Sequence, residues 1–157
     1  MVDSNTQTPT NATAQMVAEL NGLLADHFAL YIKTKNFHWH VKGPRFRDLH
    51  LLFDEQAIEI QGQIDVIGER ARKLDGETIT GLSMVAELTQ VTDQKNAAIS
   101  AEDMIVELRD DNAAMVAKLK SMKDTAENAG DNATDGLLDD WTDMAEQRVW
   151  FLNSLLG

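Results

Sequence analysis

The chain has 157 residues, of which 43% are hydrophobic and 25% charged, enough for one domain with a buried core. It has no cysteine, which excludes disulfides and thiolate metal sites and fits a reducing cytosol. The net charge of −12 repels phosphate backbones and favours cations, and no Lys or Arg precedes Lys33.

Residues 1–12 are polar, rich in Thr and Asn, and are expected to form a flexible tail; residues 13–157 are expected to form a single helical domain. The opening MVDSNTQTPTNATAQ has neither the basic start nor the apolar centre of a signal peptide. No apolar run approaches the roughly 18 residues of a membrane span. A cytoplasmic protein without membrane contact is expected, with association to the nucleoid as the variant reading.

From about Thr13, apolar positions Met16, Val17, Leu20, Leu23, Leu24, Phe28 and Tyr31 recur every three or four residues, predicting an amphipathic helix to about His40. Gly43-Pro44 breaks it. A second helix carries Leu49, Leu52, Phe53, Ile60, Ile64, Ile67, Ala71 and Leu74 and ends near Asp75-Gly76. Residues 75–99 form a long connection, with a short helix expected over Gly81–Leu88. Ser100-Ala-Glu-Asp103 resembles a capping box and opens a third helix with Met104, Leu108, Met115, Leu119 and Met122 on its core side. Gly130 closes it. Asp131 or Thr134 caps the fourth, whose inner side is expected to hold Leu138, Trp141, Ala145, Phe151, Leu152 and Leu155. The fold class is all-α, a four-helix bundle. The long connection can run the length of the bundle, as in the one-crossover ferritin-like arrangement.

The chemistry concentrates between Asn36 and Glu69. Three of the four histidines lie there (His38, His40, His50), and the i, i+4 pairs His50/Asp54 and Asp65/Glu69 each stack on one helix face. Imidazole and carboxylate donors suit a first-row metal such as iron. Relative to His50, Asp54, Asp65 and Glu69 lie about 40°, 60° and 100° around the helix, on one side. Along the axis, Asp54 and Asp65 stand roughly 16 Å apart. One ion with bonds of about 2 Å cannot join them. Either the pairs serve separate purposes, or each is completed by the opposite pair of a second copy across a two-fold axis near Glu59 and Ile60. No histidine has a Glu three residues before it, so the intrasubunit di-iron motif of carboxylate bundles is missing.

The segment Asn36-Phe-His-Trp-His-Val-Lys-Gly-Pro44, followed by Leu49-His50, Phe53-Asp54, Asp65 and Glu69, resembles the Dps family of ferritin-like mini-ferritins over nearly the whole chain. The resemblance implies a hollow homododecamer with ferroxidase centres at two-fold interfaces. His38, His50 and Asp54 would come from one subunit, and Asp65 and Glu69 from its partner. It further implies oxidation of Fe²⁺ to Fe³⁺ by hydrogen peroxide or dioxygen and storage of ferric mineral. Trp39 is expected in core packing, with a second role beside the metal as a radical acceptor. His40 is read as ending its helix rather than as a ligand, and His27 as structural or surface.

Family members admit Fe²⁺ through negative pores at three-fold axes. Asp131, Asp135 and Asp139, spaced by four, would line such a pore; the plainer reading is an acidic helix start favoured by the helix dipole. Residues 124–157 hold eight acidic side chains and one basic one, Arg148. Without a basic tail at either end, direct DNA binding is expected to be weak or absent. A non-enzymatic assembly that condenses or protects DNA is the alternative to the ferroxidase.

Overall fold

The structure is a computed structural model describing residues 10–157. Among these residues there are five helices and no strand: α1 (Asn11–His40), α2 (Phe46–Lys73), α3 (Leu82–Leu88), α4 (Ala101–Asn128) and α5 (Asn132–Ser154). Of the expected tail over residues 1–12, residues 1–9 lie outside the described residues and residues 11–12 belong to α1. Helix α1 starts two residues before the expected Thr13, because Thr10 takes the cap and its Oγ1 accepts from Thr13 N at 3.1 Å.

The remaining ends follow local chemistry. Ser100 Oγ accepts from Asp103 N at 3.0 Å at the start of α4, and Asp131 Oδ1 accepts from Thr134 N at 3.0 Å at the start of α5. Between them Gly130 adopts φ 64°, and Asp131 N donates back to Ala126 O at 2.9 Å, an αL helix stop that favours glycine. Helix α2 ends with Asp75 in that same region (φ 65°) and Gly76 N donating to Ala71 O at 3.0 Å. A Cβ on Gly76 would stand 2.4 Å from Val17 Cγ1, so α1 approaches too closely for any side chain there.

Helix direction follows from which residues meet. Asp26 and Lys33 of α1 reach Lys118 and Asp111 of α4, so these helices are antiparallel. Glu59, Gln63 and Arg70 of α2 reach Arg148, Trp141 and Asp131 at or near α5, again antiparallel. Since α1 and α2 form a hairpin through residues 41–45, α2 and α4 run the same way. The chain between them must therefore return along the bundle, which is why the connection is long.

Polar side chains of α1 hold that connection down. Asn21 Nδ2 donates to Glu77 O (2.9 Å), and Asn21 Oδ1 accepts from Thr78 Oγ1 (2.7 Å). Asp26 Oδ1 accepts from Thr89 Oγ1 (2.8 Å) and Gln90 N (2.7 Å), and its other oxygen pairs with Lys118. Lys33 Nζ donates to Thr92 O (2.8 Å) and forms ion pairs with Glu107 (3.3 Å) and Asp111 (2.8 Å). Asn36 Nδ2 donates to Gln94 O (3.1 Å). Buried polar groups cost free energy unless they are bonded, and here the crossover backbone supplies the partners.

The core is made of the expected apolar positions on all four long helices, with Leu30 and Phe37 of α1 added to them. Two aromatic residues expected inside are outside. Phe151 is exposed, in edge contact with Trp150 at 5.0 Å, and Trp39 is 63% exposed.

Candidate metal centre

Helix α1 ends at His40 and α2 begins at Phe46, so the tight turn around Gly43 (φ 113°) sets His38 beside His50. Their rings stack with centroids 3.9 Å apart and planes 15° from parallel. His38 Nδ1 lies 2.6 Å from His50 O, and His50 Nδ1 lies 2.7 Å from His38 O. A carbonyl oxygen only accepts, so each Nδ1 carries the proton, and in the neutral ring the lone pair falls on Nε2. That is how a metal-binding imidazole is oriented by its surroundings. Phe46 stacks on the other side of His50 at 5.1 Å, fixing the ring further.

Asp54, one turn along α2, brings Oδ1 to 3.8 Å from His38 Nε2. It is also 2.8 Å from Lys35 Nζ, and the Lys35 ammonium beside it holds its carboxyl below the usual carboxylate range. The same ammonium sits 6.0 Å from the Trp39 ring centroid. The structure thus brings His38, His50 and Asp54 together at one end of α2. Asp65 and Glu69 stand exposed farther along, on the wall of a groove formed with Leu24, Ile79 and Leu82. Among the described residues, no three His, Asp or Glu side chains of one chain are arranged to hold a metal ion.

The face of α2 that carries both groups also carries exposed apolar side chains. Ile58 is 59% exposed and Leu51 is also exposed, at about 80° and 100° around α2 from His50. Both fall within the arc of Asp54, Asp65 and Glu69. On α1, exposed Ile32 and Trp39 flank Lys35, which reaches across to Asp54 and so joins the two stripes.

A ferritin-like domain model matches residues 17–157. The DNA protection during starvation protein of Brevibacillus brevis is 36% identical over 143 residues, covering 90% of this chain and 95% of that protein. The chain belongs to the Dps family. The crystal structure of a Dps protein from Bacillus brevis superposes with a TM-score of 0.92 at 33% identity, covering 96% of this chain and 100% of that one. A Vibrio cholerae Dps protein, described as a member of a broad superfamily of ferritin-like diiron-carboxylate proteins, gives 0.89 at 25% identity, covering 96% and 98% of the two chains. The crossover bundle is therefore ferritin-like.

The acidic positions at the start of α5 do not form a single free ladder within the subunit. The Asp131 side chain is only 7% exposed: it caps α5 and pairs with Arg70 Nη2 at 3.2 Å. Asp135 and Asp139 share the Lys123 ammonium at 2.9 and 2.5 Å. Lys123 lies one residue before the acidic stretch read from the sequence, so counting charges there overlooked it. His40 closes α1 with Nδ1 donating to Asn36 O at 2.8 Å, and His27 is fully buried with Nδ1 donating to Leu23 O at 2.8 Å. Lys35 is the functional-site residue that the sequence did not flag, though its position three before His38 and four before Trp39 put it on their face.

Proposed function

We propose that the chain is a ferroxidase and iron-storage protein whose centres form between two copies. The observation that carries this reading is the division of donors along α2. His38, His50 and Asp54 converge at one end, Asp65 and Glu69 stand open roughly 16 Å away, and exposed Ile58 lies between them on the same face. A two-fold axis across the middle of α2 would cover Leu51 and Ile58 and set each cluster against its complement, giving two equivalent centres per dimer. Family membership extends this to a closed homododecamer holding ferric mineral in its cavity, in the cytoplasm.

The donor set suits the substrate. Neutral imidazoles bind Fe²⁺, and the carboxylates Asp54, Asp65 and Glu69 add the negative charge that favours Fe³⁺. Two ferrous ions in one centre would reduce one hydrogen peroxide, with uptake of two protons, to two waters, leaving two ferric ions and releasing no hydroxyl radical; dioxygen is the other oxidant. Trp39 is exposed on the same face, where it could quench a stray radical. The name of the Brevibacillus relative points to DNA protection. Consuming Fe²⁺ and peroxide protects DNA without binding it, and a chain of net charge −12 is expected to bind it weakly. A shell that protects DNA only by condensing it is the competing reading.

Mixing separates the shared centre from other arrangements. Subunits carrying His50→Ala and subunits carrying Asp65→Ala should each be inactive in peroxide-driven Fe²⁺ oxidation. Dissociated and reassembled together, they should recover about a quarter of the parent centres, since half the random dimers are mixed and each mixed dimer has one intact site. Mixed shells with no recovered activity would overturn the proposal. A gel shift on duplex DNA without divalent metal tests the competing reading, and tight binding would favour it.

A further inference from the structure

The centre of the bundle holds a second arrangement of donors, separate from the surface cluster. Arg148 of α5 is 4% exposed, and its guanidinium meets side chains from two other helices. Nη1 is 2.5 Å from Glu59 Oε1 on α2, Nε donates to Asn112 Oδ1 on α4 at 2.7 Å, and Nη2 lies 3.6 Å from the Met115 sulfur. Gln56 of α2 donates to Arg148 O at 3.4 Å. Three of the four long helices therefore meet at this guanidinium.

A carboxylate, an amide oxygen and a thioether around one point are the kinds of donor that bind transition metals, and bundle cores are where helical proteins place such sites. Here the point is filled by a side chain. Two further observations mark the place as built for a cation. Gln56 Oε1 is buried without a hydrogen-bond partner, although Gln56 itself is only 5% exposed. A cavity of about 60 Å³ adjoins Gln56, Glu59 and Arg148 and leads outward past Glu55 and Gln147.

We propose that Arg148 is a resident cation. Its guanidinium occupies a ready-made cation site at the centre of each subunit, which keeps that site closed to metal ions and leaves metal chemistry to the surface. Shortening Arg148 opens the site to free guanidinium or to a divalent first-row metal ion.

The test uses full-length chains carrying His50→Ala, Asp54→Ala, Asp65→Ala and Glu69→Ala, which removes donors from both halves of the surface centre, so that the failure of one proposal is not confused with failure of the other. In this background, Arg148→Ala should melt lower. Millimolar guanidinium chloride should then raise its melting temperature by about 3 °C or more, as should Co²⁺, which should also show the visible absorption of a low-symmetry protein site. Neither ligand should stabilise the background chain with Arg148 intact, nor the chain that also carries Glu59→Gln. If Arg148→Ala does not fold, Arg148→Gln, which fills more of the space, is measured in the same way. Unchanged melting with both ligands would overturn the proposal, as would equal stabilisation of the Glu59→Gln chain.

Discussion

His38 and His50 orient each other: each Nδ1 donates to the other's main-chain carbonyl, at 2.6 and 2.7 Å, and the two rings stack face to face. Replacing one ring therefore disturbs the orientation of the other as well as removing a donor. Phenylalanine at position 50 keeps the stacking on His38 and Phe46 but loses both nitrogens. His50→Phe should assemble normally and oxidise Fe²⁺ at least about 100-fold more slowly, as followed by ferric absorbance. A rate within a few-fold of the parent would remove His50 from the centre.

Lys35 competes with a metal ion for Asp54, since its ammonium already holds Oδ1 at 2.8 Å and keeps the carboxyl ionised to lower pH. Lys35→Gln removes the competing charge and also lets the Asp54 pKa rise. The variant should bind Co²⁺ more tightly at neutral pH, yet lose binding at higher pH on acidification than the parent does. Titrations at several pH values read both effects, and superimposable curves would show that Lys35 does not act on the centre.

Burial lowers the His27 pKa from 6.5 to about 4. The folded state holds the imidazole neutral, whereas the unfolded chain takes up a proton as soon as pH falls below 6.5. Stability from this residue is therefore complete above pH 6.5 and is lost progressively down to pH 4. The total is about 3 kcal/mol. His27→Gln should be less stable at pH 7 but should lose less on going to pH 4.5. Equal losses in denaturant titrations of parent and variant would contradict this.

Gly76 and Val17 make a pair that a double-mutant cycle can isolate. A methyl group at position 76 would meet Val17 Cγ1 at 2.4 Å, so Gly76→Ala should cost about 1 to 3 kcal/mol. Most of that cost should vanish in the Val17→Ala background, because the obstructing methyls are gone. Additive losses would place the strain elsewhere.

Much of the site could be read from the sequence because helix periodicity is local. The spacing of His50, Asp54, Asp65 and Glu69 gives both their shared side and their axial separation, whereas His38 entered through the resemblance and only the turn at Gly43 sets it beside His50. Trp39 was expected inside, since periodicity reports apolar character and does not distinguish a core from a face left for a second subunit. The roles of Asn21, Asp26, Lys33 and Asn36 leave no local trace, because their partners lie more than 55 residues away in sequence. Arg148, the lone basic residue of an acidic stretch, was visible as a count but not as a core charge. Asp131 was legible as a cap of α5, but its ion pair with Arg70, 61 residues away, was not.

The seam along α1 also bears on how the chain comes together. Helices α1 and α2 pack as one hairpin and α4 and α5 as another, each closed by a short turn. Both can form from near neighbours in sequence, and local contacts form quickly. Residues 77–94 take most of their hydrogen bonds to the long helices from α1, with Gln94 Nε2 donating to Glu107 of α4, and Asp26 and Lys33 bond α4 at the same time as the connection. The crossover thus works as a latch that engages once two prefabricated halves have met, so misdocked hairpins would leave these α1 polar groups unpaired.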